Sequence, residues 1–269
     1  MTQFSFTLRK QAAIASKGMV TSNHPLGSLA GIDMLSQGGN AVDAAVASLC
    51  ALTVVEPMMV SIFGCGFIVI RLNDSDEIVT IDNMGVAPQV ATDQLYEPLP
   101  WKPGQDLFET KDRRNMVGHL SVAVPGSMKA WEHLIHRYGH LSLNEVMQPA
   151  IRYAQRGFKA SPYLVWCINS CQSDLARYPA SAAVFLPDGR PPKPGQLIKR
   201  EDYAKTLTTI AEKGSDALYH GKLARAVIND IQEHGGIMTM DDLDRYQLLY
   251  REPVQGIYRD HYEIFSMAS

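Results

Sequence analysis

Net charge is nearly absent from this chain: 25 Lys and Arg against 28 Asp and Glu leave −3 over 269 residues. With a pI near 6.2, that balance removes the electrostatic case for nucleic acid or an anionic membrane surface as a partner. No apolar run is long enough to cross a bilayer. The longest in the first half, Ala44 to Val55, is interrupted by Ser48 and Thr53. Met1 to Ala15 carries Arg9 and Lys10 but no apolar stretch ending in a small-residue cleavage site. No signal peptide is read there, and a cytoplasmic location is the default expectation. Cysteine is scarce. Cys50, Cys65, Cys167 and Cys171 are expected as reduced, mostly buried thiols, with Cys65 filling a gap in the core. Cys167 and Cys171 share a helix face, but no second pair completes a zinc set. Gly64 to Gly66 has neither the third glycine nor the following helix of a dinucleotide fingerprint. Internal repeats and low-complexity tracts are missing too, and neither a metal nor a cofactor is expected.

What remains is an ordinary globular composition, 46% hydrophobic and 20% charged, long enough to bury a full core. Leu26, Leu29, Ile32 and Leu35 set a helical period over His24 to Gln37, and Gly38-Gly39 stops it. Asn40 is a good N-cap for a second helix running to about Val55, with Asp43 in its first turn. That helix is apolar nearly all round and rich in alanine, so it predicts burial with close packing. Gly66 to Leu72 reads as a core strand, Asn73 to Asp76 as a turn, and Glu77 to Asp82 as the returning strand. A loop follows over Met84 to Pro88, and a long proline-bearing excursion over Tyr96 to Asn115. From Pro125 the pattern turns helical: Ser127 to Tyr138, Leu143 to Arg156, Ser161 to Arg177, Arg200 to Lys213, Lys222 to His234 and Thr239 to Tyr246. Tyr258 to Phe265 alternates weakly, as a closing strand would. The expected organisation is a helix pair with core strands over 1–124, a mainly helical subdomain over 125–256, and a strand returning to the sheet over 257–269.

The block from Gly18 to Phe67, with Gly38-Gly39-Asn40-Ala41-Val42-Asp43 and Gly64-Cys65-Gly66-Phe67, resembles the opening of the gamma-glutamyltransferase family. The resemblance continues in order through Val124-Pro125-Gly126, Tyr138-Gly139, Pro149-Ala150-Ile151, Tyr219-His220-Gly221, Gly235-Gly236 and Asp241-Asp242-Leu243 with Tyr246. Each piece is weak by itself; the ordered set is specific. The resemblance implies an α+β fold, the αββα sandwich of N-terminal nucleophile hydrolases, made as a precursor that cuts itself into large and small subunits. It also implies that the threonine freed at the small subunit's N-terminus attacks an amide carbonyl with its own α-amino group as base, and that main-chain N–H groups hold the oxyanion. On that reading no catalytic residue lies in this chain, the nucleophile lies beyond Ser269, and the partners are a small subunit from the same precursor and a small-molecule amide.

One loop departs from the family pattern. Where the family has Asp, an aromatic, Arg, Glu, one residue and Ala-Pro, this chain has Asp82-Asn83-Met84-Gly85-Val86-Ala87-Pro88. Met84 stands at the position of the arginine that forks onto the γ-glutamyl α-carboxylate, and Gly85 at that of the glutamate. A planar bidentate cation has given way to an uncharged thioether. Asn83 and Met84 are the residues placed nearest substrate by family position, with Arg113 and Arg114 as replacement cations from the long loop. The expected function is the large-subunit segment of a self-processing enzyme cleaving a γ-glutamyl or related small amide. The alternatives are an oxamate- or acylase-type amidohydrolase, and an inert truncated binding protein. Other tempting residues have plain explanations: His24 as a helix entry, Asp43 as a dipole complement, His133, His136 and His140 as a helix-end group, and Lys111 to Arg114 as a solvated loop.

Overall fold

The computed structural model describes residues 12–104 and 108–268. Most of the Met1 to Ala15 segment, and with it the expectation about a signal peptide, lies outside the described residues. Two helices open the fold, α1 (Pro25–Ser36) and α2 (Ala41–Val55), followed by strands β1 (Phe67–Arg71) and β2 (Ile78–Asp82). Next come α3 (Ser127–Tyr138), α4 (Leu143–Arg156), a short β3 (Phe158–Lys159), α5 (Pro162–Ser170), α6 (Gln172–Ala176), α7 (Pro179–Phe185) and a short β4 (Leu197–Ile198). The remainder is α8 (Glu201–Lys213), α9 (Asp216–Tyr219), α10 (Lys222–Glu233), α11 (Met240–Arg245), β5 (Leu249–Arg251), β6 (Val254–Tyr258) and β7 (Tyr262–Ser266).

Local chemistry starts the first two helices. His24 Nδ1 accepts the Leu26 N–H at 3.1 Å, and Pro25 supplies a preset φ at the first helical position. Asn40 and Asp43 form a capping box at the head of α2. Small residues then let α1 and α2 touch: a Cβ on Gly31 would stand 2.6 Å from Ser48 Oγ and 2.8 Å from the Ala44 carbonyl oxygen. Helix α2 is the buried centre, packed between α1 and α4, with α4 in turn on α8. Its carboxyl end is capped by a residue from far along the chain. Arg200 Nη1 donates to the Thr53 and Val54 carbonyls at 2.6 and 3.1 Å while its guanidinium lies 4.0 Å from the centre of the Tyr203 ring. One hydrophobic cluster joins Val46, Val55, Ile81, Met128, Met147 and Leu207, so the core runs straight across Pro125.

The sheet has the order β1-β2-β5, all antiparallel, with Ile68 opposite Ile81 and Ile81 opposite Tyr250. Val79 and Ile81 sink into the helical core, whereas Phe67 and Val69 on the other face are 45% and 46% exposed. The β-branched run around β1 had predicted a core strand; among the described residues helices cover one of its faces only. Strand β5 was not foreseen, since three residues carry no readable period. The single closing strand expected over Tyr258 to Phe265 is instead an exposed hairpin, β6 with β7, turning where Arg259 and Asp260 take φ of 52° and 59°. No glycine or asparagine marks that turn, which hid it. The helix expected over Ser161 to Arg177 breaks at Cys171, whose N–H is shared between the Cys167 and Ile168 carbonyls and whose thiol donates back to Cys167 O.

Candidate substrate-facing site

Three glycine-bearing turns meet at the end of β2. The Gly64 carbonyl accepts the N–H groups of Gly126 and Ser127, both at 3.0 Å, which seats the start of α3 on the turn before β1. Gly66 and Asn83 exchange backbone hydrogen bonds at 3.1 and 3.3 Å, extending the β1–β2 ladder by one pair. The Asn83 amide, oriented to satisfy its neighbours, donates to Gly66 O at 2.7 Å and accepts from Gly66 N at 3.2 Å. Gly126 has no room for a side chain, because a Cβ there would overlap both Tyr246 Oη and the Asn83 carbonyl oxygen.

Tyr246 locks the same corner from the far end of the helical region. Its hydroxyl donates to the Met84 carbonyl at 3.0 Å, and its own carbonyl accepts from Lys129 Nζ at 2.5 Å. Burial pushes the Tyr246 phenol up to about 12, so it stays a donor at neutral pH. Tyr219, buried alongside, donates to the Pro125 carbonyl at 2.8 Å, and burial raises its phenol as well.

The divergent loop itself is tightly tied. The Met84 N–H donates to Asp82 Oδ1 at 2.9 Å, and Arg251 Nε donates to Asp82 Oδ2 at 2.8 Å. The Met84 amide first, and then the Arg251 guanidinium, hold the Asp82 carboxyl below the usual carboxylate range. Val86 and Val124 pair as an isolated bridge. Gly85 lies against Ala123, where a Cβ would approach to 3.0 Å. The Met84 side chain, 41% exposed, projects free of the corner, as does Val86 at 50%.

The sequence-predicted residues do not all converge. Asn83 is buried and lines a cavity of about 340 Å³ with Gly64, Cys65, Phe67, Ser127 and Trp131. Arg113 and Arg114 line a different cavity, of about 1320 Å³, that shares no lining residue with the first. There Arg113 makes a forked pair with Asp174 at 2.9 and 3.1 Å. Cys65, expected in the core, is exposed at the rim of the Asn83 cavity; Cys167 and Cys171 are half-buried, and Cys50 alone is buried, its thiol pushed up to about 12. His24 caps α1 as expected. Asp43 is fully buried as a helix cap, and the His140 N–H donates to it. His133 Nε2 lies 2.5 Å from Tyr250 Oη. The tie from Lys129 to the Tyr246 carbonyl was not read from sequence, since a lone lysine in an amphipathic helix carries no mark of its partner.

No described helix is long and apolar enough to cross a membrane. The chain is 50% identical over 259 residues to the acylase ACY 1 proenzyme of Pseudomonas sp. (strain SE83), covering 96% of this chain and 46% of that protein. To the glutathione hydrolase proenzyme of Bacillus subtilis (strain 168) it is 35% identical over 262 residues, covering 96% of this chain and 43% of that one. It thus spans a little under half the length of both. The crystal structure of Helicobacter pylori gamma-glutamyltranspeptidase superposes with a TM-score of 0.87 at 33% identity, over 96% of this chain and 72% of that one. The α+β fold is therefore the one shared by these N-terminal nucleophile hydrolases. The sequence profile described as gamma-glutamyltranspeptidase matches residues 27–269, and with that match the chain belongs to the gamma-glutamyltranspeptidase family.

Proposed function

We propose that this chain is the large-subunit segment of a self-processing amidohydrolase that prefers acyl amides lacking the γ-glutamyl head group. The observation that carries this reading is Met84. It is an exposed side chain at the loop position where the family resemblance places a carboxylate-binding arginine. None of the candidate guanidiniums is a ready substitute: Arg251 is engaged by Asp82, Arg113 by Asp174, and Arg114 lies with Arg113 on the wall of a separate cavity. A thioether offers an apolar, adaptable wall to an acyl chain and nothing to an α-carboxylate. The 50% identity to an acylase proenzyme, against 35% to a glutathione hydrolase proenzyme, supports the same preference.

In this reading the nucleophilic threonine and the oxyanion donors belong to a small subunit cut from the same precursor. Attack of the threonine hydroxyl on the amide carbonyl expels the amine and leaves an acyl-ester, which water then hydrolyses. The present chain contributes the acyl-facing wall at Met84 and the rigid corner behind it, held by Asn83, Gly126 and Tyr246. The test is the whole protein assayed on a γ-glutamyl anilide and on an N-acyl anilide without an α-amino acid head. Turnover of the acyl anilide in preference is expected. Met84→Arg should move the ratio of kcat/KM toward the γ-glutamyl donor by about 10- to 100-fold, the worth of one charge-assisted fork. A wild-type protein that already favours the γ-glutamyl donor would refute the proposal.

A further inference from the structure

The larger cavity holds a cluster that the amide-cleaving reading does not use. His119 sits in a single turn of 3-10 helix (His119–Ser121), and Asp230 and His234 lie one helical turn apart at the end of α10. His119 Nε2 is 3.1 Å from Asp230 Oδ2, and the His119 and His234 rings stack at 4.6 Å with 18° between planes. One candidate ligand atom from each of the three lies within 4.8 Å of the others.

We infer that His119, Asp230 and His234 form a binding site for a divalent transition metal of the Zn2+ class, open to the cavity bounded by Arg114 and Tyr178. The donor set is right for that class: two imidazoles and one carboxylate are the borderline ligands zinc takes, and three protein ligands leave a coordination position facing the cavity. The tautomer of one ligand is already set. His234 Nδ1 lies 2.8 Å from the Asp230 main-chain carbonyl, an acceptor only, so in the neutral ring Nδ1 carries the proton and Nε2 is the nitrogen with a lone pair to offer a metal. That main-chain anchor on the non-ligating nitrogen is what metal-bound histidines commonly have. The two backbones are also held together without a metal. Gly236 packs so closely that a Cβ would stand 2.6 Å from the His119 carbonyl oxygen. Tetrahedral ligation needs ligand atoms about 3.3 Å apart, from bonds of about 2.0–2.1 Å. The Asp230 and His234 side chains are 62% and 56% exposed, which leaves them free to rotate into that spacing.

The Asp230 carboxylate supplies the one negatively charged ligand of the set, and the two imidazoles complete it. Of the three arginines lining the cavity, Arg113 and Arg177 both turn to Asp174, at 2.9 and 3.9 Å.

The test is calorimetric titration of the whole, chelator-treated protein with ZnCl2, repeated on His119→Ala, Asp230→Asn and His234→Ala, with His220→Ala as control. His220 is spoken for by Asp216 and Asp244, at 3.0 and 3.1 Å. One saturable site with Kd below about 100 μM is expected, weakened at least about tenfold in each of the three variants and unchanged in the control. Co2+ loading of the unmutated protein supplies a readout that no misfolded variant can blur. Visible bands without thiolate charge transfer support nitrogen and oxygen ligation. Absence of saturable binding, a thiolate band from the cysteines, or full affinity in His119→Ala and His234→Ala would each overturn the assignment.

Discussion

Replacing Asp43 by Asn should unfold this chain far more readily than replacing any exposed acid. Asp43 lies in the first turn of α2 with no exposed surface. Its carboxylate accepts three main-chain N–H groups: Asn40 at 2.7 Å, His140 at 3.0 Å and Leu141 at 3.2 Å. The first closes the cap of α2. The other two come from the turn between α3 and α4, so one side chain ties the central helix to the helical region. Gly139 is glycine for the same reason, since a Cβ there would stand 2.6 Å from Asp43 Oδ1. A hydrogen bond to a charged group is worth about 1.5–3 kcal/mol, and a buried N–H left without a partner costs about 1–3 kcal/mol. Asparagine keeps one acceptor but points an amide donor at a second N–H, so the loss is about 3 kcal/mol, one broken bond plus one orphaned donor. Alanine removes all three bonds and should cost more, about 4–5 kcal/mol, which is exceptional for a point change. Urea unfolding followed through the fluorescence of buried Trp131 on α3 measures both. A change in the Asn variant within about 0.5 kcal/mol of zero would refute the cap as a structural clamp. Undiminished stability with lost amide turnover would instead put Asp43 in the chemistry.

Two further perturbations probe the same framework. His24 caps α1 through an unprotonated Nδ1, and burial lowers its pKa while Glu56 pulls the other way. The folded pKa lies below the unfolded value of about 6.5, so the cap's stability is present above that pH and is lost as pH falls through the folded pKa. Urea midpoints between pH 8 and about 5 should drop for the native residue and flatten for His24→Asn, which caps without titrating; parallel profiles would refute this. Gly126→Ala should cost about 1–3 kcal/mol or more by overpacking against Tyr246 and Asn83. Adding Tyr246→Phe should recover only part of that loss, because the Asn83 carbonyl remains in the way, and full recovery in thermal melts would show the hydroxyl to be the sole obstacle.

Much of this molecule was legible because its local codes agree with its tertiary structure. Asn40 reads as an N-cap and Asp43 as a first-turn anion, and in space the two form a capping box; the alanines of α2 read as close packing and give it. The miscues have physical causes. A run such as Phe67 to Arg71 reports β-propensity, but not how many faces a neighbour will cover. The β6–β7 turn at Arg259 and Asp260 uses residues that seldom announce a left-handed turn. Within the candidate site, Asn83 and Met84 can be proposed by counting back from Ala87-Pro88, whereas the partner of Arg113 lies 61 positions away and His119 lies 111 positions from Asp230, beyond any local pattern.

On the proposed reading, the build of the loop after β2 explains how one residue would carry specificity in this corner. Asn83 is committed to Gly66 by backbone and side chain, Met84 is held at its N–H by Asp82 and at its carbonyl by Tyr246, and Val86 pairs with Val124. The main-chain groups of Asn83, Met84 and Val86 are already hydrogen-bonded, so reshaping the loop costs several hydrogen bonds at once. The Met84 side chain bears none of those bonds. Exchanging it alters what the loop presents while leaving the scaffold behind it unchanged, as a preorganised wall requires. Met84→Arg should therefore change substrate preference at nearly constant melting temperature, a pairing of outcomes that separates a specificity residue from a structural one. A variant that lost stability and turnover together would place Met84 in the scaffold, and the acyl-facing role assigned to it would fall.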